Sequence, residues 1–233
     1  MRFDELNWFD IESYLLNDDR LMLLLGACEQ HGYLSLLTDV KIPLALADAA
    51  SKQTHVLVAP ALNFGPSPYF LAYPGTLSLR ATTLMDVVED LVRSAHRQGF
   101  RRFLILNGHG GNDVARARLY ELANQLPQVR IAWYAWWQSP SVEAVARKFE
   151  LKSSHGSWIE AFDFTRVGDV PEGEKTPPQV PGLMGAEETR KVFGDGVFGG
   201  RYSADGQIME EVFATALEDV LQLLKFEREG WER

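Results

Sequence analysis

Several features that mark common classes of protein are scarce or missing in this chain. Its 233 residues include a single cysteine, Cys28, so the chain cannot form a disulfide with itself. The longest apolar run, residues 21–25, is far shorter than the roughly 20 residues that a membrane-spanning helix needs. The first residues, MRFDELNWFDIESYL, lack the basic-then-apolar layout of a secretion signal. We therefore expect a protein of the reducing cytoplasm that has no membrane partner.

Positive charge is also scarce. Asp and Glu total 32 against 23 Lys and Arg, which gives a formal net charge of -9. Proteins that bind nucleic acids usually carry a basic face, so the sequence argues against a nucleic-acid partner. The net charge leaves a small-molecule substrate open.

Motifs of three enzyme classes are missing as well. The glycine-rich loop NGHGGN, residues 107–112, has neither the Gly-Lys-Ser/Thr of a phosphate-binding loop nor the Gly-x-Gly-x-x-Gly spacing of a dinucleotide site. No Gly-x-Ser-x-Gly elbow of a serine hydrolase occurs. Cys28 has no basic neighbour that would activate its thiol, so we interpret it as a packing residue.

The order of apolar and amphipathic segments predicts an α/β fold. The hydrophobic fraction of 46% is enough for a buried core. Short apolar runs alternate with longer amphipathic stretches, which is the pattern of a mostly parallel central sheet flanked by helices. No linker or internal repeat divides the chain, so we predict a single-domain sandwich over residues 1–233.

Four strands and five helices are predicted in detail. The strands are residues 21–26, 55–62, 102–106 and 129–137. The helices are one that begins at Thr38, then residues 82–97 ended by Gly99, 113–126, 140–149 and 204–228. Residues 63–75 and 169–184 are rich in glycine and proline and are predicted to be irregular.

Acidic and histidine side chains follow the first predicted strand. Ligands of open α/β sheets bind beyond the carboxyl ends of the strands, where Glu29, His31 and Asp39 are expected. In an extended stretch, the side chains of Glu29 and His31 point the same way and can converge on one ion. Carboxylate with imidazole suits zinc, manganese or iron(II). The alternative is a solvated acid beside a helix cap.

Two later segments carry a histidine each. The NGHGGN loop follows the third predicted strand, and its glycines let a substrate or a metal approach the backbone while His109 projects into the cavity. The alternative is a tight turn with an ordinary histidine. A third segment, residues 153–162, adds His155 and Glu160, a pair that carries weight only in the company of the other two segments.

Taken in order, these motifs resemble the creatininase family of metal-dependent amidohydrolases. The family pattern is an E-x-H-G motif with an aspartate about nine residues after the histidine, an N-G-H-G-G-N loop and a late H-A-G-x-x-E-T-S segment. The matching stretches here are Glu29-Gln30-His31-Gly32 with Asp39, then Asn107–Asn112, and His155-Gly156-Ser157-Trp158-Ile159-Glu160. Tyr73-Pro74-Gly75-Thr76-Leu77-Ser78 is similar to a family F-P-G-T-hydrophobic-S stretch. The likeness runs from about residue 20 to the C-terminal helix.

The resemblance implies a metal site that can be carried over residue by residue. Glu29 and His109 would bind one ion, His31 would bind another, and Asp39 would bridge the two. Glu160 would complete the second site. The implied cofactor is two divalent metal ions per chain: zinc, manganese or iron.

The resemblance also assigns roles around the substrate. His155 resembles the late histidine beside the substrate and is a candidate proton donor, with Glu160 as the second candidate. Substrate-binding positions are expected at Gly110, Gly111, Asn112 and Trp158. Creatininase carries a glutamate where this chain has Gly111, and the aspartate comes one residue early. Family members form hexamers, so a homo-oligomer is expected.

The expected reaction is hydrolysis of an amide C–N bond, cyclic or open, in a small molecule by a water that two metal ions activate. One alternative is a deformylase or a peptidase on the same scaffold. Another is a metal-binding family member without turnover. The tryptophans of residues 133–137 are interpreted as core or subunit-interface packing, and stacking on a flat substrate ring is the alternative.

Overall fold

A parallel sheet organises the fold in the computed structural model, which describes residues 1–180 and 182–227. Within those residues the sheet has four strands in the order β2-β1-β3-β4. The strands are β1 Arg20–Leu25, β2 Leu57–Val58, β3 Arg102–Asn107 and β4 Arg130–Ala135. A separate antiparallel pair is formed by β5 Glu174–Lys175 and β6 Gly200–Arg201. The mostly parallel sheet predicted from the sequence is confirmed.

Helices cover both faces of the sheet. They are α1 Trp8–Leu15, α2 Thr38–Thr54, α3 Ala81–Gln98, α4 Ala115–Gln125, α5 Pro140–Lys148, α6 Ala186–Phe193 and α7 Gly206–Leu223. Successive strand residues point to opposite faces. Met22 and Leu24 therefore join one hydrophobic cluster with α2, α5 and α7. Leu23 and Leu25 join the other with α3 and α4. Because both faces are covered, β1 and β3 are apolar along almost their whole length.

The strands and long helices lie close to their predicted positions, with two differences at strand ends. The second strand was expected over residues 55–62, but its ladder is confined to Leu57–Val58. His55 instead ends α2 in the left-handed conformation, with φ of 57°. Pro60 has no N–H for a ladder bond, and pairing resumes only at the isolated bridge between Leu25 and Leu62. The fourth strand ends at Ala135, where a 3-10 turn begins.

The helix predictions differ from the structure in several places. The helix expected from residue 113 begins at Ala115, after a 3-10 turn over Gly110–Val114. The last helix ends at Leu223, and the predicted end at Arg228 lies outside the described residues. Helices α1 and α6 were not predicted. The signal for α1 was present, because Asn7 and Asp10 form a reciprocal capping box at its start.

The two regions predicted to be irregular contain short elements of regular secondary structure. Residues 63–75 contain a 3-10 turn at Pro68–Phe70, and residues 169–184 contain β5. Among the described residues, none of the helices is both long enough and apolar enough to cross a bilayer.

Leu104 tests the packing of the sheet. It lies on β3, in the middle of the sheet, and its side chain is 0% exposed. We expect Leu104→Ala to lower the free energy of unfolding by about 2–5 kcal/mol, because the change removes buried methyl groups and leaves a cavity. Leu91→Ala on α3, where the residue is 42% exposed, should change it by less than about 0.5–1 kcal/mol. Urea unfolding of both variants measures the difference, and equal shifts would contradict the assigned core.

Candidate metal centre

The first turn of α2 carries Asp39 to the carboxyl ends of two neighbouring strands. Close packing there requires glycine at two positions. A Cβ on Gly108, just after β3, would lie 1.8 Å from the Asp39 backbone oxygen. A Cβ on Gly26, just after β1, would lie 2.5 Å from a methyl group of Val40. With no side chain at either glycine, the helix start fits against both strand ends, and the Asp39 carboxylate lies between the two loops.

The segment between β1 and α2 folds back on itself and aims two side chains at Asp39. The Glu29 amide donates to the Leu36 carbonyl over 3.0 Å, which closes the loop. The His31 ring is then held by its Nδ1, which lies 3.2 Å from the Glu29 backbone oxygen. Both Glu29 and His31 are only 1% exposed. They therefore face each other inside the protein, as the alternating geometry of an extended stretch predicts.

Hydrogen bonds from two asparagine side chains hold the NGHGGN loop in the conformation that directs His109 toward Asp39. The Asn107 side chain donates to the His109 carbonyl over 2.8 Å and accepts from the His109 amide over 3.1 Å. Asn112 donates to Asn107 over 3.1 Å and to the Gly26 carbonyl over 3.2 Å. Asn112 is 0% exposed and its amide is used within the protein. Its position supports loop structure rather than the substrate contact expected from the sequence.

The third segment is a turn that ends in a short 3-10 helix at Trp158–Glu160. One oxygen of Glu160, Oε2, accepts from the Gly156 amide over 2.6 Å. The other oxygen, Oε1, lies 3.9 Å from His31 Nε2. The turn thus directs one carboxylate oxygen of Glu160 toward the first segment. His155, which immediately precedes Gly156, lies on the same side.

Side chains from all three segments meet around one buried space. His31 Nε2 lies 2.9 Å from Asp39 Oδ1, and His109 Nδ1 lies 3.1 Å from Asp39 Oδ2 and 3.3 Å from Glu29 Oε1. Three groups have ligand atoms within 4.8 Å of one another: Glu29, Asp39 and His109; His31, Asp39 and Glu160; and Glu29, His31 and His155. The first two groups share Asp39. The five residues expected as metal ligands are therefore brought together, with the expected division into two sets.

The backbone fixes which nitrogen of each histidine faces the carboxylates. A carbonyl oxygen only accepts, so His31 Nδ1 carries the hydrogen that it shares with the Glu29 carbonyl. For the same reason His109 Nε2 carries the hydrogen that it donates to the Pro66 carbonyl over 2.8 Å. In a neutral ring the other nitrogen then has a lone pair, and both lone pairs would point at carboxylate oxygens. Such an arrangement is repulsive unless a proton or a cation lies between the two atoms.

Without a cation, the charges of these groups are strongly coupled. Burial alone would lower the pKa of His31, but the Asp39 carboxylate outweighs it and raises that pKa to about 10. Burial is likewise outweighed at His109, where Glu29 and Asp39 raise the pKa well above its ordinary value. Burial would raise the pKa of Asp39, yet the positive His31 holds it well below its usual range. Burial raises the pKa of Glu160 to about 7. The buried carboxylates therefore favour two positive charges beside them, one at His31 and one at His109.

Three atoms of the site indicate what those charges are. Glu29 Oε2, His31 Nε2 and Asp39 Oδ2 are buried and have no hydrogen-bond partner in the described part of the chain. Buried polar atoms without a partner are rare in folded proteins, so the three atoms point to a ligand. Carboxylate oxygens with imidazole nitrogens are the donor set of zinc, manganese and iron(II). The residues therefore fit divalent transition-metal ions.

A cavity of about 390 Å³ opens beside these residues. It is lined by Glu29, Asp39, Tyr69, Phe70, Gly108, His109, Gly110, Trp137, Ser153, Ser154, His155, Ile159, Glu160 and Phe198. Gly110 is thus placed at the cavity, as are both candidate proton donors. The aromatic side chains form one wall, and the carboxylates and imidazoles form the other.

Two other positions that were expected to contact substrate lie elsewhere. Trp158 is 0% exposed, packs in the core, and donates from its indole nitrogen to the Lys152 carbonyl over 3.0 Å. It does not line the cavity. Gly111 does not line it either, and a Cβ there would lie 2.1 Å from the Pro66 oxygen. That oxygen holds His109, so the volume that a side chain at residue 111 needs is filled by the backbone of the neighbouring loop.

Four aromatic residues of the cavity wall were not assigned to the site from the sequence. Tyr69 and Phe70 stand in the segment rich in glycine, proline and aromatics, which offered a signal for a binding loop. Trp137 belongs to the tryptophan-rich segment that was interpreted as packing, with stacking on a substrate ring as the alternative. Phe198 had no local signal, because it reaches the site only through the fold of residues 193–200.

His155 lies at the boundary between the two walls. Its ring stacks on Phe70 with centroids 4.6 Å apart and lies 5.0 Å from the ring of Phe198. Its Nδ1 is 3.7 Å from Glu29 Oε1. At its other nitrogen, Gln30 offers an acceptor, the backbone oxygen at 3.0 Å, and a donor, the side-chain amide at 2.9 Å. Burial and the charge of His31 lower the pKa of His155 well below its ordinary value, so the ring is neutral.

Comparison with known sequences identifies the family of this chain. The creatininase family model, described as creatinine amidohydrolase, matches residues 4–224. A creatinine amidohydrolase of Pseudomonas putida is 35% identical over 117 residues, which are 47% of this chain and 45% of that protein. A mycofactocin precursor peptide peptidase of Mycobacterium tuberculosis is 34% identical over 109 residues, 42% of this chain and 43% of that protein. The chain spans about half the length of the curated relatives that it matches.

Solved creatininase structures share the fold over nearly the whole chain. A creatinine amidohydrolase structure is 21% identical, covers 97% of this chain and 96% of that chain, and has a TM-score of 0.82. A structure described as creatininase Mn is 21% identical, covers 100% and 99%, and has a TM-score of 0.81. A creatininase variant of the Zn-Zn type is 23% identical, covers 100% and 98%, and has a TM-score of 0.80. The chain belongs to the creatininase family.

Proposed function

We propose that this protein is a metal-dependent hydrolase that cleaves an amide C–N bond, cyclic or open, in a small molecule, with two divalent metal ions bound per chain. One observation carries the proposal. The backbone turns the free nitrogens of His31 and His109 toward buried carboxylates, an arrangement that requires positive charge at two neighbouring points. The family relationship and the manganese and zinc creatininases support the same conclusion.

The geometry supports two ligand sets that share Asp39. Glu29, Asp39 and His109 would hold one ion, and His31, Asp39 and Glu160 would hold the other. When bound, such a pair of ions lowers the pKa of a water and stabilises negative charge on a carbonyl oxygen. Asp39 is common to both sets and comes from the rigid first turn of α2, so it fixes the two sets relative to each other.

His155 is the group of this chain that would move a proton. As a neutral ring it can accept a proton at Nδ1 from the attacking water and give it to the leaving nitrogen. Its Nε2 carries the ring hydrogen in both states and donates it to the Gln30 backbone oxygen over 3.0 Å. Glu160 is the second candidate, but one of its oxygens is held by the Gly156 amide and the other faces His31.

The cavity wall would select the substrate. Tyr69, Phe70, Trp137 and Phe198 offer flat apolar surfaces that suit a planar amide or ring and exclude water from it. Ser153 and Ser154 add hydroxyl groups at the rim.

A peptidase is the second candidate function, and the adjoining surface favours it. The cavity shares Ser153, Ser154 and Phe198 with a groove of about 590 Å³ that runs along β5 and β6. An extended substrate could therefore continue from the cavity into the groove. One relative is a peptidase of a precursor peptide, at 34% identity over part of the chain. Assays of lactams, formyl amides and short peptides with added zinc, manganese or iron distinguish these activities, and full metal content with no turnover would favour a non-catalytic role.

Metal content tests the shared ligand. Protein purified without chelator should hold about two divalent ions per chain. We expect Asp39→Asn to lose most of both, because Asp39 belongs to both ligand sets, and Glu29→Gln to weaken one site. The matched control is Glu143→Gln, an exposed residue of α5 paired with Arg147, which should keep wild-type metal content and activity. Elemental analysis together with amide hydrolysis measures the outcome. Retention of both ions by Asp39→Asn would refute the assigned ligands.

The pH dependence of stability gives a second test. In the metal-free protein, the pKa of His31 is about 10 against 6.5 unfolded, so its stabilising contribution is complete below about pH 6.5 and is lost as the pH rises through 10. The pKa of Glu160 is about 7 against 4.5, and its contribution is lost as the pH rises through 7. Metal ions compete with these protons, so the rise in Tm caused by zinc should be larger at pH 8 than at pH 6. Differential scanning calorimetry with and without zinc measures this, and a larger rise at pH 6 would contradict it.

His155 can be separated from the metal ligands by its own variant. We expect His155→Gln to keep the bound metal and to lose kcat by about 10²–10⁴-fold, because the proton carrier is missing. His96→Gln, on α3 away from the cavity, is the control and should match the wild type. Steady-state kinetics with metal analysis of the same samples decides the point. A His155→Gln enzyme with unchanged kcat would exclude His155 as the proton carrier.

A further inference from the structure

Lys175 lies outside the metal centre, yet a single loop surrounds its ammonium group. The residue is on β5, and its side chain is only 19% exposed. Nζ donates to the Phe193 carbonyl over 2.5 Å, to the Val197 carbonyl over 2.7 Å, and to the Asp195 carboxylate. Three donors thus meet three acceptors, all from the segment that joins α6 to β6. We call residues 193–200 the lysine loop.

The Asp195 carboxylate links Lys175 to other groups in and beside the lysine loop. Besides binding Lys175, its carboxylate accepts from the Val197 amide over 3.1 Å and from the Tyr202 hydroxyl over 3.0 Å. The loop also contains Gly194 and Gly196 at φ of 60° and 90°, a region that favours glycine. The ammonium group therefore joins three points of a tight path, at Phe193, Asp195 and Val197.

The lysine loop contacts the segment that carries the E-x-H motif. The Gly196 carbonyl accepts from the Gln30 side-chain amide over 3.0 Å, and Gln30 in turn accepts from the Gly32 amide over 3.0 Å. These two bonds fix the orientation of the Gln30 amide, whose nitrogen lies 2.9 Å from His155 Nε2. A Cβ on Gly196 would lie 1.7 Å from Gln30 Oε1, so the approach leaves no spare room.

The same loop contacts the segment that carries His155. The Phe198 amide donates to the His155 carbonyl over 3.0 Å, and the Ser154 hydroxyl donates to the Gly199 carbonyl over 2.5 Å. Val197 is 0% exposed, and one of its methyl groups lies against both Gly32 and Gly156. The lysine loop therefore lies between the two segments and touches both ends of the Gln30–His155 contact.

We propose that Lys175 is a positioning residue for His155: by holding the lysine loop, it sets the Gln30 amide, the backbone of residues 154–156 and the Phe198 ring against the His155 imidazole. The proposal rests on the proposed function for its catalytic consequence. It does not involve the metal ligands directly. The hydrogen bonds of Lys175 and Asp195 in the described part of the chain go to none of the five proposed ligands. It does not involve the sheet core either, because neither hydrophobic cluster contains the apolar loop residues Phe193, Val197 and Phe198.

The test compares Lys175→Met with Lys148→Met. Methionine keeps most of the length of lysine but cannot donate, and Lys148 is an exposed lysine of α5 paired with Glu211, so its replacement is a matched control. We expect Lys175→Met to keep wild-type metal content and to lose kcat by about 10- to 100-fold, because a small displacement of a catalytic group is enough for such a loss. KM should change by less than about threefold. Amide hydrogen exchange should become faster at Phe198 and across residues 154–157, and Lys148→Met should change none of these quantities.

Asp195→Asn provides a second variant in case Lys175→Met does not fold. It leaves the two carbonyl bonds of Lys175 in place and should show the same pattern with a smaller loss of kcat. The proposal is overturned if the variants match Lys148→Met in both kcat and exchange, or if both lose bound metal along with activity. If the wild-type protein hydrolyses no amide, the proposed function fails by itself. The exchange at residues 154–157 then still decides whether Lys175 holds the His155 segment.

Discussion

The site depends on one electrostatic constraint: three buried carboxylates face imidazole nitrogens that have no hydrogen when the rings are neutral. Glu29, Asp39 and Glu160 are each at most 8% exposed. Hydrogen bonds from His31 to the Glu29 carbonyl and from His109 to the Pro66 carbonyl use the outer ring hydrogens. Like charges in a medium of low dielectric repel strongly, so this cluster is stable only with positive charge inside it. Protons can supply that charge, and a pair of divalent ions supplies more of it.

The parallel sheet explains why such a cluster can be built from distant parts of the chain. Strands β1 and β3 are neighbours and run the same way, so their carboxyl ends open side by side. The loop after each strand contributes proposed ligands, and α2 returns Asp39 to the gap between them. Gly26 and Gly108 permit that return, since a side chain at either position would collide with the first turn of the helix. The repulsion within the cluster is thus opposed by the packing of two strands and a helix.

Much of this arrangement is readable in the sequence, because the rules that govern it are local or periodic. The continuous apolar runs locate β1 and β3, and the residues just after them are where ligands of an α/β sheet are expected. The strand predicted over residues 55–62 is shorter because of His55 and Pro60, whose local geometry overrides an apolar pattern. The positions of Asn112 and Trp158 could not be read in the same way. Both belong to motifs of the site, yet Asn112 binds the Gly26 carbonyl and Trp158 packs in the core, and neither tertiary contact can be read from the spacing of the motifs.

The residues that the sequence analysis did not assign to the site are the aromatic residues of the cavity wall. Metal ligands are few in kind and stand in motifs, whereas the cavity wall is made of aromatic residues that resemble core residues in a sequence. Phe198 illustrates the difference: it lines the cavity because the loop after α6 passes between the Glu29–Gly32 and Ser154–Gly156 segments. His155 contacts both sets of residues, with Nδ1 toward Glu29 and its ring against Phe70 and Phe198. Under the proposed function, the ligands could stay the same while the wall changes, so the choice of substrate would lie with loops such as this one.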